Sequence, residues 1–155
     1  VTCDKFIDDY INKGLLKRQK VGFDQIDKLI IRARKDLESA HLMLKNDPPW
    51  AYNCAYSAML HSARAFIFTK GFRPTTNFQH KTVVEFIGHY FGQKFTTLVE
   101  KFNRMRKNRN LFMYEPWKIN ISKTDAENAL KTTTEFIELI AEEIKKEHPQ
   151  KNLNF

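Results

Sequence analysis

The chain has 155 residues, the usual size for one domain around one hydrophobic core. Hydrophobic residues make up 42% and charged residues 28%, which excludes a disordered polyelectrolyte; 26 Lys and Arg against 18 Asp and Glu leave a net charge of +8, which favours polyanionic partners without naming one. The isolated cysteines Cys3 and Cys54, and the lack of any apolar run near the roughly 20 residues that span a bilayer, argue against a disulfide framework, structural zinc and membrane insertion, and for a cytoplasmic protein.

The first segment, Asp4 to Lys13 ending at Gly14, is short and mixed in charge and reads as a helical arm over residues 1–22. From Asp24, the expected N-cap, to Leu44, the apolar residues Ile26, Leu29, Ile30, Ala33, Leu37, Ala40 and Leu44 recur at three- and four-residue steps, one stripe of an α-helix. Pro48 and Pro49 then predict a turn over residues 46–49. Trp50 to Lys70 carries Ala51, Cys54, Ala55, Ala58, Met59, Ser62, Ala65 and Phe66 on one face, with Gly71 as a left-handed C-cap. A connector over residues 72–77 leads to a helix bearing Val83, Val84, Phe86, Ile87, Tyr90 and Phe91, which stops near Gly92.

Lys94 to about Tyr114 reads as another helix with Leu98, Phe102, Met105 and Phe112 as its apolar positions, ended by Pro116. Ser122 followed by Asp125 at capping-box spacing opens the last helix, which runs to about Lys146. No alternating strand pattern, internal repeat or low-complexity segment is visible. Four long helices, a shorter one bearing Val83 to Phe91 and a short N-terminal one, joined by short connectors, predict an all-α antiparallel four-helix bundle over residues 23–147 with the additional N-terminal helix, followed by a tail over 148–155.

The densest chemistry lies between Phe102 and Tyr114, where Arg104, Arg106, Lys107 and Arg109 fall near the end of a helix. Arg106, Arg109 and Asn110 are three and four positions apart, so two guanidinium forks and an amide project from one helical face and can bracket a phosphate; Tyr114 falls one turn further along. The competing reading is solvated charge that favours the helix macrodipole.

Arg109 and Asn110 followed by Tyr114 resemble the motif of HEPN domains, small helical bundles common in prokaryotes. The segments ARKDLESA at 33–40, AYSAMLHSARA at 55–65, KGFRP at 70–74 and HKTVVEF at 80–86 resemble that family's first helices and connector in order and spacing, so the likeness spans Phe23 to Lys146. The resemblance implies an arginine, a polar residue and then a histidine after four to six positions. Many such domains are metal-independent ribonucleases, often toxins paired with a nucleotidyltransferase antitoxin, whose dimers bring two motifs to one cleft. Arg109 matches the arginine and Asn110 the polar position, but Tyr114 stands where the histidine belongs. A phenol with a pKa of about 10 stays protonated near neutral pH, whereas an imidazole near 6.5 is poised to accept and donate protons. The tyrosine that some antitoxins nucleotidylate, two positions past the histidine, corresponds here to Pro116, so that regulation does not carry over.

Two histidines could supply an imidazole: His80, at a helix start beside Lys81, and His61, with Arg64 one turn on; each is also a candidate for an ordinary hydrogen-bonded structural residue. The resulting expectation is an RNA-processing or toxin component, a metal-independent ribonuclease. Arg109, Asn110 and Tyr114 would act at a homodimer cleft, and Arg106, His80 and Lys81 would bind phosphate or nucleotide, with no metal and no cofactor. The alternative is a non-catalytic module that binds nucleotide, RNA or a nucleotidyltransferase through the same surface.

Overall fold

In the computed structural model, which describes residues 3–155, Gly22 rather than Asp24 caps the first long helix. Gly22 takes the extended backbone of an N-cap, φ −70° and ψ 150°, and Asp24 falls inside the first turn, where its charge complements the helix dipole. The described residues form α1 (Cys3–Asn12), α2 (Phe23–Met43), α3 (Pro48–Thr69), α4 (Gln79–Phe91), α5 (Thr96–Tyr114) and α6 (Lys123–Glu147), an all-α bundle. Residues 1 and 2 of the N-terminal segment lie outside the described residues.

Pro48 and Pro49 belong to α3 instead of a separate turn. They occupy its first positions, where proline's missing N–H costs nothing, and Asp47 accepts a hydrogen bond from the Trp50 N–H at 3.2 Å. Ser122 and Asp125 do close a reciprocal capping box on α6, at 3.0 and 2.9 Å.

α3 is the central helix because apolar residues surround most of its circumference: besides the predicted stripe, Tyr52, Tyr56, Leu60, Ala63 and Ile67 are buried. α2 covers it with Ile26, Ile30, Ala33 and Ala40, and α6 with the stripe from Ala126 to Ile144. α5 reaches the same core through Leu98, Phe102 and Met105, the Phe102 ring lying 5.8 Å from Tyr56 and 5.3 Å from Phe136. α4 packs against both α3 and α5 and buries Val83, Val84, Phe86 and Ile87.

One element runs against the sequence expectation of no strands. β1 (Leu16–Arg18) pairs antiparallel with β2 (Phe72–Pro74), Lys17 opposite Arg73, and Gly71 enters β2 from α3 at φ +78°. Three residues per strand are too few to show alternation, and the partners are far apart in sequence. The ribbon draws the N-terminal segment onto the bundle, and Phe6 and Leu16 are buried in the same core as α3 and α6. The C-terminal tail is also held, since Asp27 accepts hydrogen bonds from the backbone and side-chain N–H groups of Asn154 at 2.9 and 2.8 Å.

Candidate functional site

The register of α5 decides which of its polar residues turn inward. With Leu98, Phe102 and Met105 buried, Arg106 and Arg109 lie half-buried on the flank of the core face, while Arg104, Lys107, Asn110 and Tyr114 are exposed. The first turn of α4 meets this flank. Phe78, in the left-handed region at φ 50° and ψ 27°, sets the entry of α4, and His80 follows inside its first turn.

His80 is anchored from beneath by Tyr56 of α3, whose Oη lies 2.9 Å from Nδ1, with the two rings inclined at 26°. Burial pushes the Tyr56 phenol up, while the charges of Arg109 and Arg106 draw it down. The phenol therefore keeps its proton. At 1% exposure an O–H without an acceptor would cost about 1–3 kcal/mol, and Nδ1 is its partner among the described residues. The O–H thus donates to Nδ1, and the neutral imidazole carries its own proton on Nε2.

Burial also lowers His80 below the ordinary imidazole value, and Arg109, Arg64 and Arg106 lower it further, in that order. The imidazole is neutral at pH 7. All three charges acting on it are arginines. Arg106 spends its Nε–H on Asn103 Oδ1 at 3.0 Å, which holds the side chain in place and leaves its terminal N–H groups for a ligand. Neither Arg106 nor Arg109 forms an ion pair among the described residues. The cluster is rich in N–H donors and poor in acceptors, which suits an oxyanion.

The other predicted residues stand around this cluster. Lys81 is exposed, lies 3.7 Å from Glu85, and lines with Arg106, Lys107 and Asn103, and with the carboxylates of Glu85 and Glu100, a groove of about 590 Å³ between α4 and α5. Asn110 and Tyr114 point outward, Tyr114 at 70% exposure, and neither side chain makes a hydrogen bond among the described residues. His61 is not part of the cluster. Its Nδ1 lies 2.6 Å from Asp36 Oδ2, which holds it against α2, where it lines a separate groove with Arg64 and Arg73. Sequence reasoning missed Tyr56, hidden among core residues; the signal was a hydroxyl on a buried stripe, which needs a polar partner. Among the described residues no group of three or more His, Cys, Asp or Glu side chains is placed to hold a metal ion.

Six α-helices among the described residues, around one core, with a short antiparallel ribbon tying down the N-terminal segment, define the class as a small all-α bundle domain. The model of the HEPN domain family matches residues 26–144, and the chain belongs to that family, which ties it in general terms to nucleotide- or RNA-related function. No curated protein and no solved structure matches the chain. No helix among the described residues is long and apolar enough to cross a membrane.

Proposed function

We propose that this HEPN domain binds RNA, with Arg106, Arg109 and the Nε2–H of His80 holding a backbone phosphate and Lys81 adding charge at the edge of the α4/α5 groove. The observation that carries this reading is the set of arginine charges around a tyrosine-anchored neutral imidazole. A phosphate diester offers the acceptors that this donor set lacks. The domain works as a homodimer in this proposal, and the exposed Met113 and Tyr114 at the end of α5, with Trp117 in the 3-10 turn that follows, supply apolar surface for the partner copy.

The test is RNA affinity as a function of salt. Each phosphate contact to a single strand contributes about 0.7 to the slope of log K against log salt, so replacing both Arg106 and Arg109 by Ala should weaken binding and flatten the slope by about 1 to 2. An unchanged slope in the double variant means that this face is ordinary surface charge. Sedimentation showing only monomer at tens of micromolar, the range set by roughly −6 to −8 kcal/mol of association, removes the dimer.

A second reading, metal-independent cleavage as the toxin of a nucleotidyltransferase pair, is favoured by the exposure of Asn110 and Tyr114 one turn apart beside the arginines, where a partner's motif can face them. In that reaction the 2′-oxygen attacks phosphorus and the 5′-oxygen leaves. A base takes the 2′-hydroxyl proton and an acid protonates the leaving oxygen, giving a 2′,3′-cyclic phosphate. Incubation with labelled RNA in EDTA, scored for cyclic phosphate ends, separates cleavage from binding alone.

A further inference from the structure

A second cationic groove, of about 310 Å³, opens where the β-ribbon meets α2 and α3, lined by Gln19, Gln25, His61, Arg64, Phe68 and Arg73. Arg64 comes from α3 and Arg73 from β2, yet their guanidinium carbons each lie 5.9 Å from the centroid of the same Phe68 ring. No carboxylate lines the groove, and neither arginine forms an ion pair among the described residues; the nearby Asp36 is taken by Arg32 and His61. Two like charges gathered on one ring without a counter-charge repel each other, and the fold does not relieve that repulsion internally. Burial lowers Arg64, and Arg73 lowers it further. The groove therefore presents two forked N–H donors, two amides and an imidazole, a set that suits phosphate oxygens.

Arg64 also joins this groove to the first cluster, because it lies about two turns beyond Tyr56 on α3, the residue whose Oη holds His80 at 2.9 Å. From these positions we infer that Arg64 and Arg73 form a second phosphate subsite, which takes another backbone phosphate of the same RNA strand held at Arg106 and Arg109. The inference rests on the RNA-binding reading above and extends it into a track: α4/α5 groove, His80, Arg64, Arg73 on the ribbon. The ribbon thus has a role beyond tying down the N-terminal segment, since it carries Arg73 to the phosphate.

The experiment compares fluorescein-labelled single-stranded RNAs of about 16 and about 3 nucleotides, read by anisotropy across a salt series. Arg73→Gln should weaken the longer RNA roughly three- to tenfold and flatten its salt slope by about 0.7, while the trimer, too short to reach both subsites, stays within about twofold. Arg64→Lys keeps the charge but loses the fork. It should weaken the longer RNA in the same direction, and thermal melts of both variants check that the fold is retained.

If both variants bind the longer RNA as wild type does while Arg106→Ala with Arg109→Ala weakens it, the second subsite is absent and the first reading stands. If Arg73→Gln weakens the trimer as much as the longer RNA, the groove is a free phosphate site and the track is wrong. Weakening by Arg73→Gln with no effect of the Arg106 and Arg109 variant supports the groove as a phosphate site and overturns the first reading. No effect of any variant overturns both.

Discussion

Tyr56 Oη lies 2.9 Å from His80 Nδ1, a hydrogen bond that joins the middle of α3 to the first turn of α4 and places the imidazole among Arg109, Arg64 and Arg106. It makes one buried phenol responsible for both the position and the tautomer of His80. Tyr56→Phe removes the O–H and leaves Nδ1 unpaired, so stability should fall by about 0.5–1.5 kcal/mol and RNA affinity should fall with it. Urea midpoints and anisotropy on this variant check both; full affinity with a mobile imidazole would show that the anchor has no bearing on binding.

The lowered His80 gives the fold a pH dependence of definite sign. As pH drops below about 6.5 the unfolded chain takes up the imidazole proton first, and the native state does so only at lower pH. The contribution is therefore fully present above that value and is lost as pH falls toward the lowered native value. The facing groups Tyr56, Arg64, Arg106 and Arg109 carry no negative charge that could reverse the sign. Urea midpoints at pH 7.5 and 5.5 should differ more for wild type than for His80→Gln. Equal differences would show that His80 is not the linked group.

Phe78 stands in the left-handed region with its ring 77% exposed, so it pays a backbone cost without much burial in return. Asparagine tolerates that region, and Phe78→Asn should stabilise the protein by about 0.5–1 kcal/mol, measured as a shift in the urea midpoint. A destabilised variant would mean that the ring contributes packing which its exposure does not reveal.

What was legible in the sequence follows from the range of the forces involved. The capping box at Ser122 and Asp125, the apolar stripes of α2 and α6, and the Gly71 cap depend on residues a few positions apart, and each lies where spacing puts it. The cap lies two positions before Asp24 because Asp24 and Gly22 both fit a helix start, and the helical backbone already begins at Phe23, with Gly22 extended. The ribbon and the site are non-local. Leu16 meets Pro74, and His80 meets Tyr56, across stretches of chain that carry no periodic mark of the pairing. His61 and His80 looked equivalent as sequence; Asp36 claims one and Tyr56 the other.

Tyr114 lies at the last turn of α5 and is 70% exposed. Within one protomer the arginine cluster offers cations and a neutral N–H, but Tyr56 occupies the lone pair of Nδ1, so the imidazole there is poorly placed to accept the 2′-hydroxyl proton. Tyr114→His adds an exposed imidazole of ordinary pKa one turn beyond Asn110, on the outer flank of the arginine helix. If the second reading of the function holds, this variant should raise metal-independent RNA cleavage, since a general acid or base of suitable pKa contributes roughly 10²–10⁴ in rate, and Arg109→Ala should abolish it by removing charge stabilisation. Both are read on gels in EDTA, with thermal melts confirming the fold. If Tyr114→His leaves cleavage flat while Arg109→Ala lowers it, the base lies elsewhere, and Tyr56→Phe, which frees Nδ1 of His80, becomes the next variant to assay. If neither substitution changes cleavage, catalysis at this motif is excluded and RNA binding remains as the role of the arginine face.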